Sequence, residues 1–159
     1  LYFVGFNGEN FQLSKLYGKK FEGTWAPDGR QLLYSVSHQD DSFTPQLWTV
    51  QGSGTNIGQG RQALNITNWS YKCSFVNSVE AYCGVPKELP EGAGLIPQLA
   101  DSIADNIYKV NIQTGATSLV AIPDEDLHVE SLIVSEDGSE AYIIDSFSNT
   151  IKSVQLRSE

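Results

Sequence analysis

Three segments of this chain repeat one another, and that repetition narrows the possible folds more than any other feature. Phe21 to Ser35 (FEGTWAPDGRQLLYS), Tyr71 to Gly84 (YKCSFVNSVEAYCG) and Ser131 to Ile144 (SLIVSEDGSEAYII) each pass from a β-rich run through a short polar turn into a second β-rich run. The turn pairs Asp28-Gly29, Asn77-Ser78 and Asp137-Gly138 align, and Glu80-Ala81-Tyr82 matches Glu140-Ala141-Tyr142. Asp-Gly between such runs signals a hairpin, because both residues tolerate the positive φ that hairpin turns demand. Each segment therefore predicts two antiparallel strands.

After each hairpin comes another pair of short strands, marked by an apolar-x-x-Val run: Leu47 to Val50, Ile107 to Val110 and Ile151 to Val154. Two of these enter a further turn, at Gln51 to Gly54 and Gln113 to Ala116, which makes four strands per unit. Successive turns lie 49 and 60 residues apart. A β-propeller blade of four strands repeats at about 40 to 50 residues, so the longer interval needs an insertion. It falls at 87–106, where Leu95, Leu99, Ile103 and Ile107 recur every four residues and predict a short amphipathic helix between the second and third strands. The opening segment, Tyr2 to Leu16, matches the second half of the last unit, Tyr142 to Leu156, without a gap.

The expectation is an all-β fold, a β-propeller segment of about three and a half four-stranded blades with one short helical insertion. Residues 1–19 form a half blade and 20–64 a blade; 65–123 form a blade carrying the insertion 87–106, and 124–159 a last blade. A closed propeller has about four to eight blades, so the remaining blades are expected from the same chain or another, a second copy included. Trp25, Trp48, Tyr82, Tyr108 and Tyr142 are the expected core residues between blades.

A net charge of −9 and an isoelectric point near 4.6 disfavour nucleic acid and anionic membrane surfaces, since both require clustered Lys and Arg. No apolar run reaches the roughly 20 residues of a membrane span, so membrane insertion is not expected, and Leu1 to Gly5 lacks the charged start of a signal peptide.

Cys73 and Cys83 lie symmetrically about the turn of the middle hairpin. They read either as a cross-strand disulfide or as two small buried thiols; the disulfide reading implies an exported protein in the extracellular space or cell envelope. A structural zinc site is the weaker reading, since the two His residues, His38 and His128, lie in other units. Asn65-Ile66-Thr67 and Asn68-Trp69-Ser70 are glycosylation sequons, Asn65 and Asn68 being the candidate acceptors, or else plain turn and strand residues. Gly52-Ser53-Gly54 sits between strands and is not a nucleophile elbow. Asp40-Asp41 and Asp124 to Asp126 read as solvated loop charges. In the insertion, Leu95, Ile96, Leu99 and Ile103 either face a partner or pack on their own blade.

The run GTWAPDGRQLLYS resembles the TolB-type propeller repeat, with its Trp-Ser-Pro-Asp-Gly-Lys turn before an apolar strand, whereas the middle unit departs from that turn. Glu140 to Leu156 (EAYIIDSFSNTIKSVQL) is similar to blades of NHL and gluconolactonase-like propellers. The resemblance implies a rigid surface offered to proteins, peptides or glycans. For some members it implies a hydrolase accessory domain, or a lactonase with a channel metal held by carboxylates and Asn. The residues themselves place no catalytic, cofactor-binding or metal-binding side chain in this chain. The function expected is a non-enzymatic scaffold or interaction domain with a protein or glycan partner and no cofactor; the competing expectation is the propeller part of an enzyme.

Overall fold

A computed structural model describes residues 1–4 and 10–157. Strands β1 (Tyr2–Val4) and β2 (Asn10–Leu13) pair as sheet I. Sheet II holds β3 (Lys19–Trp25), β4 (Gln31–Ser37), β5 (Pro45–Gln51) and β6 (Gln62–Thr67). Sheet III holds β7 (Cys73–Phe75), β8 (Glu80–Pro86), β9 (Asp105–Asn111) and β10 (Thr117–Ala121), and sheet IV holds β11 (Val129–Val134), β12 (Glu140–Asp145) and β13 (Thr150–Gln155). Every pairing is antiparallel and joins consecutive strands. The fold is thus all-β, a set of meanders.

The repeated turn is built the same way each time. Asp28 Oδ1 accepts from Arg30 N at 3.0 Å, Asn77 Oδ1 from Val79 N at 2.8 Å, and Asp137 Oδ1 from Ser139 N at 3.1 Å. Such side-chain-to-backbone bonds stand in for a ladder bond and reverse the chain. Asn77 can therefore replace Asp in the middle unit without loss of the turn.

The sheets stack face to face. One apolar cluster joins Leu33, Leu47 and Leu64 of sheet II to Cys73, Ala81 and Val110 of sheet III. A second joins Tyr82, Ile107 and Val120 of sheet III to Val129, Leu132 and Ile143 of sheet IV. A third sets Phe3 of sheet I on Leu32, Tyr34 and Val50 of sheet II. Because sheets II and III are covered on both faces, β4 and β8 read as nearly continuous buried runs. β12 instead alternates buried and exposed.

Several expectations are corrected. Trp25 and Tyr142 are exposed rather than core, because their faces belong to the two ends of the stack; Tyr82 is buried, and Trp48 and Tyr108 are half-buried. Asn65, expected to open a new unit, lies inside β6 with a left-handed φ of 51°. The matched pair Tyr2 and Tyr142 keeps its register, Tyr2 opposing Leu13 as Tyr142 opposes Ser153, and both are exposed, while Phe3 is buried because sheet II is the apolar surface beside this ribbon. Residues 5–9 and 158–159 lie outside the described residues.

The insertion is not an amphipathic helix. It holds one 3-10 turn, Pro97–Ala100, flanked by irregular chain. Pro97 lacks the N–H that a helix running through Ala93 would need, and its ring would collide with that residue's carbonyl. The four-residue spacing of the leucines and isoleucines therefore has no helix to act on.

Candidate functional site

Antiparallel meanders put alternate connections at opposite ends. The β4–β5, β8–β9 and β12–β13 loops and the links between sheets consequently share one end, and backbone bonds tie them together there. Gly92 N donates to Ser42 O at 2.8 Å, Gly94 N to Phe43 O at 2.9 Å, Asp105 N to Leu127 O at 2.7 Å and Ser146 N to His128 O at 2.8 Å. At Gly94 a Cβ would stand 1.8 Å from Ser37 Oγ, so only glycine allows the insertion to lie this close on sheet II. The segment between β8 and β9 is thus a strap across the ends of sheets II and III.

The strap separates its four singled-out residues. Ile103 packs on Trp69, Ala93 and Ala100, and Leu95 is half-buried. Ile96 and Leu99 point into solvent, 54% and 46% exposed. The two sequon residues separate as well. Asn68 is fully buried, with Nδ2 donating to Gly84 O at 3.0 Å, which leaves no room for a glycan; Asn65 is exposed.

Beneath the strap lies a polar cluster that the sequence did not disclose. Lys72 Nζ donates to Asp105 Oδ1 at 2.6 Å and to Oδ2 at 2.7 Å, and Val129 N donates to Oδ2 at 2.6 Å. Lys72 also stands 5.9 Å over the Trp69 ring. Burial pushes the Lys72 ammonium down and the Asp105 carboxyl up, and each charge opposes the other's shift. The Tyr71 hydroxyl is pushed up to about 12 by burial, with the Glu22, Asp105 and Asp101 carboxylates adding to it. Thirty-three residues separate Lys72 from Asp105, so no local pattern could have announced the pair.

Next to it, Asp145 accepts from His128 N at 2.8 Å, from Ser148 N at 3.0 Å and from Ser148 Oγ. Burial would raise this carboxyl, but those bonds outweigh it and hold it at about 2. The His128 ring stacks on Phe147 at 5.3 Å. Between sheets III and IV a cleft of ≈ 120 Å³ remains, lined by Tyr71, Lys72, Asp101, Ile103, His128 and Ser146 among others.

Chemically this arrangement fastens. Asp105 binds the start of β9 both to the residue before β7 and to the first residue of β11, and Asp145 closes the β12–β13 loop onto the link into sheet IV. Among the described residues no group of three or more His, Cys, Asp or Glu side chains converges as metal ligands would. Asp40 and Asp41 are exposed, as are Asp124 to Asp126; Lys87 reaches Asp126 at 3.0 Å and Lys152 reaches Glu125 at 2.8 Å. Gly52-Ser53-Gly54 opens the β5–β6 turn.

Cys73 and Cys83 oppose one another in the β7–β8 register and form a disulfide, buried in the cluster between sheets II and III. A buried disulfide marks a non-reducing environment. No helix among the described residues is long and apolar enough to cross a membrane.

No family model matches the chain, and no curated protein matches it. Among solved structures, a crystal structure of TolB from Acinetobacter baumannii is similar with a TM-score of 0.50 and 11% sequence identity, over 97% of this chain and 37% of that one. The chain therefore spans little more than a third of that structure's length, and the likeness is one of fold, consistent with a β-propeller-like arrangement of its sheets.

Proposed function

We propose that this chain is a non-enzymatic interaction domain: a stretch of β-propeller whose strap end presents a rigid surface to a protein or glycan partner outside the cytosol, in the extracellular space or cell envelope. The observation that carries the proposal is the strap itself. Backbone bonds from Gly92 and Gly94 pin it across two sheets while Ile96 and Leu99 stay in water. Apolar side chains held outward on a fixed loop are what a partner surface requires. The buried charges beneath it are occupied with one another, which gives the strap a firm seat.

The test pairs wild type with an Ile96→Ser/Leu99→Ser variant on a glycan array and against purified secreted and envelope proteins of the source organism. Saturable binding by wild type, lost in the variant at unchanged thermal melting, supports the proposal. Equal binding by both overturns the role of the strap. Turnover of lactone or glycoside substrates by the purified chain would overturn the non-enzymatic reading in favour of an enzyme's propeller.

A further inference from the structure

Sheets III and IV share a register. Tyr82 opposes Lys109 and Gly84 opposes Ile107 in one; Tyr142 opposes Ser153 and Ile144 opposes Ile151 in the other. In sheet III this face is covered by sheet IV, so Tyr82 is 9% and Ile107 0% exposed. In sheet IV the same positions are bare: Tyr142 is 41% and Ile151 75% exposed, with Ile133 and Ile144 exposed beside them. An apolar sheet face of this kind is built to be stacked upon.

The opposite end of the stack is also apolar and, among the described residues, uncovered. A cleft of ≈ 290 Å³ there is lined by Tyr2, Phe3, Phe21, Trp25 and Leu32 among others, and Tyr2, Phe21 and Trp25 are exposed. The two ends differ in charge. Residues 124–159 carry nine acidic and two basic side chains. Residues 1–37, which supply the other end, hold four basic against three acidic side chains, with Lys15, Lys19 and Lys20 exposed. Opposite net charge on the two end segments favours their meeting each other over either meeting itself.

We propose that a second copy of this chain stacks head to tail: the Ile133, Tyr142, Ile144 and Ile151 face of one copy covers the Tyr2, Phe21 and Trp25 end of the other. The interface continues the sheet-on-sheet packing already present between sheets III and IV. One difference follows from Ile144. In sheet III its place is taken by Gly84, over which Val129 sits so closely that a Cβ would lie 2.5 Å away. The incoming copy must stand further off at that point than sheet IV does from sheet III. A head-to-tail contact uses two different surfaces, so two copies closing on each other form it twice. The inference rests on the stacked sheets and not on the strap, and the variants that test it lie elsewhere, so either proposal can fail alone.

Sedimentation equilibrium of the 159-residue chain, from about 1 to 100 µM, reads the proposal directly. A dimer is expected for wild type, and a monomer throughout overturns it. Ile151→Asp and Tyr2→Asp, each at an exposed position and each checked for unchanged melting, are expected to be monomeric alone. Mixed in equal amounts they retain one intact interface between them and are expected to recover a dimer. A mixture that stays monomeric, or a wild-type dimer that neither variant weakens, overturns the head-to-tail contact.

Discussion

The second strands of sheets III and IV begin with the same three residues, Glu-Ala-Tyr, at the same register, yet one Tyr is core and the other is surface. Tyr82 is covered because Val129 and Leu132 of the next sheet lie over it; Tyr142 has no such sheet upon it among the described residues. The alternation along a strand decides which residues share a face. What stacks on that face decides whether they are core.

Breaking the fastening between these two sheets should have the largest effect. Lys72→Met strands the fully buried Asp105 carboxylate and should destabilise the chain by about 3 to 5 kcal/mol in urea unfolding. A loss below about 1 kcal/mol would mean that water reaches Asp105 and that sheets III and IV are less tightly joined than their geometry indicates.

Next in size is the difference between paired positions. Ile107→Ala should cost about 3 kcal/mol, since it opens a cavity under sheet IV, while Ile151→Ala should stay within about 0.5 kcal/mol at protein concentrations where the chain is monomeric. Equal losses would show that something covers Ile151 in the monomer. Close approach gives a third contrast. Gly84→Ala drives a methyl into Val129 and should cost about 1 to 3 kcal/mol, and Ile144→Ala at the matching position should be nearly neutral in the monomer.

The smallest loss expected at a buried group is that of Asp145, whose carboxyl is held at about 2 against an ordinary value of 3.8. Because its folded value lies below its unfolded one, its contribution is present above about pH 4 and is lost as pH falls toward 2. Asp145→Asn should remove about 1 to 2 kcal/mol at pH 7 and flatten acid unfolding over that window. An unchanged acid limb would place the loss of stability in other carboxylates whose folded values are lowered, and not in Asp105, whose folded value is raised.

The strands were legible in the sequence because their signals are local: the Asp-x-x turns, the β-rich runs on either side, and the two cysteines facing across one hairpin. The insertion 87–106 forms no amphipathic helix despite its four-residue spacing, because Pro97 interrupts it. The polar cluster was hidden for a different reason. Lys72, Asp105 and Val129 meet only after three strands have folded past one another, and nothing near any of them in the chain marks the meeting. Asn65 and Asn68 make the same point, three residues apart in matching motifs, one exposed and the other buried and bonded to Gly84 O.

By itself, then, the sequence determined where the chain turns and which residues share a face, since turns and alternation depend on neighbours a few positions away; the last unit, expected to hold four strands, holds three among the described residues. Stacking decided the rest: which faces became core, that the strap lies across two sheets, and that both ends of the stack remain apolar and, among the described residues, uncovered. Burial belongs to surfaces brought together from distant parts of the chain, and no stretch of a dozen residues contains that information.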